Sequence, residues 1–199
     1  MTVLLISGSP AERSRSTGLL AHVGEQLNRH DIATSFLAVR DLPAEDLVYG
    51  RHNSESLRKA AEMIDGAWAV VIATPIYTAA AAGVLKAFLD LLPQNALADK
   101  VVLPIGVGGS NAHLLAVDYT LKPVLQILGA QHILNTVYAV DTHIDFTSDG
   151  RRLIDDDIAL RLHNAVQALL HVHRAKRHAA PRTLRHGRPR IPEIGRAHV

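Results

Sequence analysis

The chain has 199 residues, 48% of them hydrophobic and 20% charged, with no cysteine. That composition fits one globular domain around a single core, and it excludes disulfides, thiolate nucleophiles and cysteine-ligated metal. The formal charge of +2 is unevenly spread: residues 171–199 hold eight Lys or Arg against the single acid Glu193, a net of +7 that leaves −5 on the rest.

No apolar run approaches the roughly 18 residues of a membrane span. The opening MTVLLISGSP has neither the basic start nor the long apolar stretch of a signal peptide. A cytoplasmic protein that does not engage membranes is expected.

In chain order, Thr2–Ser7 is a continuous apolar strand, and Ser16–Arg29 is a helix with Leu19, Leu20, Val23 and Leu27 on one face. Ile32–Val39 is a second strand. Ser54–Ile64 follows as a helix, with Ser54 as its N-cap and Leu57, Ala60, Ala61 and Ile64 facing the core. Ala67–Ala73 is a third strand, and Ala82–Leu92 a helix ended by Pro93. Val101–Val107 reads as a fourth strand although Pro104 interrupts its ladder of donors. Asn111–Leu128 is a helix containing Pro123, His132–Val140 a fifth strand and Asp155–His173 a last helix. The longer connections are Asp41–Asn53 and Asp141–Arg152.

Strands that are apolar throughout are buried on both faces, which only a parallel sheet covered by helices provides. Right-handed crossovers then give an α/β, doubly wound, three-layer α/β/α sandwich. Five strands suggest the flavodoxin-like order 2-1-3-4-5, with a ligand site outside the carboxyl ends of the strands. This domain is expected to span residues 1–175. Residues 176–199, basic and containing Pro181, Gly187, Pro189 and Pro192, read as a flexible tail. The tail lacks stacking aromatics and the body is acidic, so nucleic acid is not an expected partner. Metal is not expected either: His171 and His173 point to different faces of a helix, and no H-E-x-x-H occurs.

Three loops after strand ends should meet. The first, Ser7 to Thr17, puts hydroxyls at Ser9, Ser14, Ser16 and Thr17 and guanidinium groups at Arg13 and Arg15 before a helix N-terminus. Unpaired N–H groups and the partial positive charge there suit a phosphate, and arginine adds charge-assisted bonds. One capping serine would account for a single hydroxyl, not for four and two arginines. The absence of G-x-G-x-x-G, G-K-[ST] and G-x-S-x-G argues against a dinucleotide grip, a P-loop and a nucleophile elbow, and leaves a terminal monophosphate such as that of FMN. In the second loop, Thr74-Pro75-Ile76-Tyr77, proline stiffens a turn and the small residues after it admit something flat, although Tyr77 could also be core. In the third, Gly106-Val107-Gly108-Gly109-Ser110, paired glycines allow positive φ and expose N–H groups.

The strings G-S-P…S-R-S-T, A-T-P-I-Y-T-A-A, L-D-L-L-P and V-V-L-P-I-G-V-G-G-S-N-A-H-L-L-A-V-D-Y-T-L-K-P-V-L closely resemble the NADPH-dependent FMN reductases. They resemble most the reductase component of two-component alkanesulfonate monooxygenases. The resemblance covers roughly residues 1–140; the last helix is only loosely similar and the tail is not covered.

It implies that Ser9, Ser14, Arg15, Ser16 and Thr17 take the flavin phosphate, that Pro75, Ile76 and Tyr77 line the ribityl chain and ring, and that Gly108, Gly109 and Ser110 contact the isoalloxazine edge. It also implies that Tyr119 is the inserted helical tyrosine that makes a π-bulge near the flavin and a tetramer interface, where it gates flavin retention. The activity implied is NADPH-dependent reduction of FMN by hydride transfer to flavin N5, which supplies an FMNH2-dependent monooxygenase of sulfur metabolism. FMN and NADPH are then the cofactors, no side chain need act as acid or base, and a homotetramer is expected. An NAD(P)H:quinone or azo reductase with tightly bound FMN, and a flavin electron carrier without nucleotide activity, are the alternatives. The basic phosphate loop counts against the carrier.

Overall fold

The computed structural model describes residues 2–148 and 151–179, with side chains through residue 175. Strand β1 (Thr2–Ser7) lies within a mostly parallel sheet, between β2 (Ala33–Ala38) and the central strand β3 (Ala67–Tyr77). β5 (Val101–Gly108) follows β3, and two short strands, β6 (His132–Ile133) and β7 (Val137–Val140), share the last position. A two-residue strand, β4 (Ala80–Ala81), pairs antiparallel with the end of β3. This is the expected doubly wound order, with the fifth strand divided.

Side chains alternate across the sheet because successive residues of a strand face opposite ways. Leu4, Ile6, Val70 and Ile72 pack with Leu57, Ala60 and Ile64 of α3 (Glu55–Asp65), with Leu85, Phe88 and Leu89 of α4 (Gly83–Leu89), and with Leu125 of α5 (Lys122–Ile127). On the other face Val3, Leu5, Val71 and Leu103 meet Leu19, Leu20, Val23 and Leu27 of α1 (Arg15–Arg29) and Ile158, Leu162, Val166 and Leu169 of α6 (Asp156–Ala179). Ser54 caps α3 as its sequence suggests, its Oγ accepting from the Leu57 N–H at 3.3 Å.

Pro104 sits inside a central strand, and the division of the fifth strand explains how. β5 pairs with β6 at Val101 and Val102 and with β7 from Ile105 onward. The Val102 carbonyl accepts from Leu134 N–H at 2.8 Å. Alternate residues address the same neighbour, so Pro104 turns its missing donor toward residues 134–136, where no strand runs.

The two long connections carry structure that periodicity did not reveal. Residues 41–53 include a short helix, α2 (Ala44–Val48), and residues 141–152 lead into a two-stranded hairpin of β8 (Ile144–Phe146) and β9 (Arg152–Ile154). Helix Ala82–Leu92 is shorter than expected, and the last helix runs on to Ala179. The expected helix Asn111–Leu128 is broken into a 3₁₀ turn at Asn111–His113, a π-helical segment at Val117–Leu121, and α5. Residues 180–199, and with them most of the expected tail, lie outside the described residues.

Candidate functional site

The loop after β1 is fastened to its neighbours at its start. Gly8 N–H donates to the Ala73 carbonyl at 2.8 Å, and a Cβ on Gly8 would lie 2.8 Å from Leu85 Cδ2, so only glycine lets this loop approach α4. Ser9, Ser14 and Ser16 are buried. Ser14 caps α1: its Oγ accepts from the Thr17 N–H at 3.5 Å and lies 2.8 Å from Ser16 Oγ. Ser9 Oγ accepts from the Ala11 N–H at 3.1 Å. No acidic residue occupies the first turn of α1, so the positive end of the helix is not neutralised there.

Both arginines of the loop are braced by the β8–β9 hairpin. Arg15 Nε donates to the Ile144 carbonyl at 2.8 Å, which leaves its two terminal NH2 groups for an anion. The Arg13 guanidinium lies over the Phe146 ring, 5.7 Å from its centroid.

The opposite wall comes from the ends of β3 and β5. β3 does not stop at Ala73; it continues to Tyr77, so Pro75 is a strand residue in register with Val107 and not part of a turn. The reversal comes later, at Thr78 and Ala79, whose φ values of 48° and 60° form a two-residue hairpin into β4. Thr74 Oγ1 accepts from the Ala82 N–H at 3.1 Å and fastens the return of the chain.

The glycines on β5 serve a different end from the one expected. Neither Gly108 nor Gly109 adopts positive φ; among the described glycines only Gly50 and Gly129 do. Gly108 is needed because a Cβ there would lie 2.3 Å from the Tyr138 hydroxyl, whereas a Cβ on Gly109 would meet open space. That hydroxyl donates to the Ser110 carbonyl at 2.6 Å and ties the loop to β7. Burial, with the Asp141 carboxylate adding to it, pushes the Tyr138 phenol above its usual pKa, so it stays a donor.

These walls enclose an open cleft of about 180 Å³. Ser9, Ser14, Arg15 and Ser16 line its first side together with Arg13, and Pro75, Ile76, Tyr77, Gly108 and Gly109 line the second. Two expected residues fall outside it. Thr17 Oγ1 is 2.7 Å from Ser7 Oγ, and the residue borders a neighbouring cleft with Phe146 and Arg152. Ser110 is exposed and does not line the cleft; its carbonyl accepts from the Tyr138 hydroxyl. Tyr119 is 75% exposed on the π-helical segment and does not line the cleft within this chain.

Asp141, Ala11 and Val107 complete the lining without having been singled out from the sequence. Asp141 had a signal available, since it immediately follows a strand whose carboxyl end must face the site.

The residues fit a phosphorylated planar ligand. A phosphate suits the first-turn amides of α1, the buried serine hydroxyls and the free end of Arg15. A flat ring suits the strand ends, where Gly109 leaves open space beside the backbone.

A family model of NADPH-dependent FMN reductases matches residues 1–145. The chain is 46% identical over 144 residues to FMN reductase (NADPH) of Escherichia coli strain K12, spanning 72% of this chain and 75% of that protein. It is 42% identical over 179 residues to FMN reductase (NADPH) of Pseudomonas putida KT2440, spanning 89% and 90%. The apo form of an NADH:FMN oxidoreductase superposes with a TM-score of 0.74 at 37% identity, over 95% of this chain and 96% of that one. The chain belongs to the NADPH-dependent FMN reductase family.

Proposed function

We propose that this oxidoreductase reduces FMN with NADPH and passes the reduced flavin to a partner monooxygenase of the alkanesulfonate type. The observation that carries the flavin reading is one cleft joining the positive end of α1 to flat strand-end walls. When bound, the flavin would supply the chemistry, hydride acceptance at N5 from nicotinamide C4, and the protein would contribute orientation and electrostatics.

In this reading Ser9, Ser14, Arg15 and Ser16 hold the phosphate. Arg15 does so with the side of its guanidinium that Ile144 leaves free. Thr17 supports the loop through Ser7 rather than touching the phosphate. Pro75, Ile76 and Tyr77 set the plane of the ring, and Gly108 and Gly109 let its edge approach the backbone. Tyr77, half exposed at the rim, leaves one side of the cleft open for the nicotinamide. Tyr119 governs retention of the flavin at an interface between copies of the chain, and the assembly is a homotetramer.

Steady-state assays with NADPH and NADH, with and without added FMN, test this reading. Saturable dependence of NADPH oxidation on added FMN is expected, as is little flavin colour after purification. A stoichiometric flavin retained through purification would instead favour a quinone or azo reductase.

A further inference from the structure

Tyr119 stands at a change of helical register. Its N–H donates to the Leu115 carbonyl, four residues back, at 3.0 Å, whereas Lys122 N–H donates to the Val117 carbonyl, five residues back. A π turn is rare and needs support from outside the helix. Part of that support is local: Thr120 Oγ1 donates to the Ala116 carbonyl at 2.7 Å. Val117 and Leu121 are buried, and a Cβ on Gly106 would lie 2.5 Å from Val117 Cγ2, so the inner side of the turn sits directly on β5.

Asp118 supplies a polar tie that is not local. Its Oδ1 accepts from Thr136 Oγ1 at 2.7 Å and lies 2.6 Å from Lys122 Nζ. An exposed i,i+4 ion pair alone would add only a few tenths of a kcal/mol. Thr136, eighteen residues away, lies in the gap between β6 and β7, so the bond fixes the π turn to the edge of the sheet. Burial alone would raise the Asp118 carboxyl, but the hydrogen bonds from Lys122 and Thr136 and the Lys122 charge outweigh it and hold it below its usual pKa. Tyr119 stands 75% exposed on this segment, so the backbone of the turn carries its ring out from the fold.

We propose that Asp118 is a positioning residue for Tyr119, holding the π turn against the sheet edge through Thr136. This rests on the reading of Tyr119 as a flavin-retention residue. The Thr136 bond matters more than the Lys122 pair, because it alone reaches across to another element.

The test uses the full chain with Asp118→Ala, Asp118→Asn, Thr136→Val, Tyr119→Ala and the Asp118→Ala/Tyr119→Ala double variant. FMN affinity is read by flavin fluorescence, melting temperature by circular dichroism, and protection of the amides of residues 117–122 by hydrogen exchange. Asp118→Ala and Thr136→Val should lower that protection and shift FMN affinity about threefold or more, in the direction that Tyr119→Ala shifts it. The double variant should move no further than either single change, because coupled residues are not additive. Asp118→Asn keeps an acceptor for Thr136 and should restore affinity. Thr136→Val, which removes the donor while keeping the shape, decides the matter if Asp118→Ala fails to fold. A shift in Tyr119→Ala without one in Asp118→Ala or Thr136→Val, or full additivity in the double variant, overturns the positioning role alone. An unchanged Tyr119→Ala protein overturns the reading of Tyr119 together with the role proposed for Asp118.

Discussion

At the scale of single residues, Arg15 is the most exacting test of the phosphate site. Its Nε is committed to Ile144, and the residue lines the same cleft as the serines of the loop. A hydrogen bond to a charged group contributes about 1.5–3 kcal/mol, so Arg15→Ala should weaken FMN binding about tenfold or more, and riboflavin should bind poorly to the unaltered protein. Equal titration of riboflavin and FMN would show that the loop does not read the phosphate. Gly108 offers a stability test of a different kind. A Cβ placed 2.3 Å from Tyr138 Oη must displace the ring, and overpacking of that sort costs about 1–3 kcal/mol. Gly108→Ala should therefore lower the denaturant midpoint, and Gly108→Ala/Tyr138→Phe should recover part of the loss. That Ser9, Ser14, Arg15 and Ser16 share one cleft wall was legible in the sequence, because a loop between a strand and a helix N-terminus lies at the carboxyl end of the sheet. Thr17 and Ser110 do not line the cleft, and their contacts are ones that motif reading does not show: the Thr17 hydroxyl lies against Ser7 Oγ, and the Ser110 carbonyl accepts from Tyr138, twenty-eight residues away.

At the scale of elements, the sheet and its helices were legible wherever burial alone decides, as in β1, α1 and α3. The misses occur where another element decides. β3 reaches Tyr77 because Val107 and β4 continue to pair with it after the apolar run has ended. The fifth strand divides where Pro104 offers no donor, and the helix after β5 changes register where Asp118 bonds to Thr136. The β3–β4 hairpin yields a prediction of its own. Ala79 sits at φ 60°, a conformation that costs an L-residue roughly 1–2 kcal/mol and glycine almost nothing. Ala79→Gly should stabilise the protein by up to about 1 kcal/mol, since glycine's greater freedom in the unfolded chain offsets part of the gain. Chemical denaturation checks this, and a loss of stability would mean that the Ala79 methyl makes contacts that outweigh the strain.

At the scale of the whole molecule, the segments Ala82–Leu92 and Asn111–Leu128 both carry more apolar residues than one core-facing stripe requires, and the fold separates them. The apolar excess of the segment Ala82–Leu92 is taken up within the chain: Leu85, Phe88, Leu89 and Leu92 are buried, and Val84 and Leu91 pack against the core. The segment 111–128 keeps its excess outside, with Leu114 at 47%, Leu115 at 53%, Tyr119 at 75% and Ile127 at 75% exposure. Four large apolar side chains on one short stretch are the pattern of a surface that a partner covers, and a second copy of the same chain is the commonest partner. On the proposed homotetramer, light scattering at micromolar concentration should report four copies, with a monomer as the outcome that removes the assembly. Leu115→Glu should dissociate it, because burying an unpaired charge at an interface costs several kcal/mol. The same change should leave the monomer folded, since residue 115 lies outside the two buried clusters. Removing residues 180–199 is expected to have no such effect. The last described side chain that the core uses is His173, tilted against Trp68 with ring centroids 4.6 Å apart, and it lies before the cut. If flavin retention depends on Tyr119 at the interface, Leu115→Glu should change FMN affinity as Tyr119→Ala does, although residue 115 does not line the cleft. Dissociation with unchanged FMN affinity would separate assembly from flavin retention and leave Tyr119 a contact residue alone.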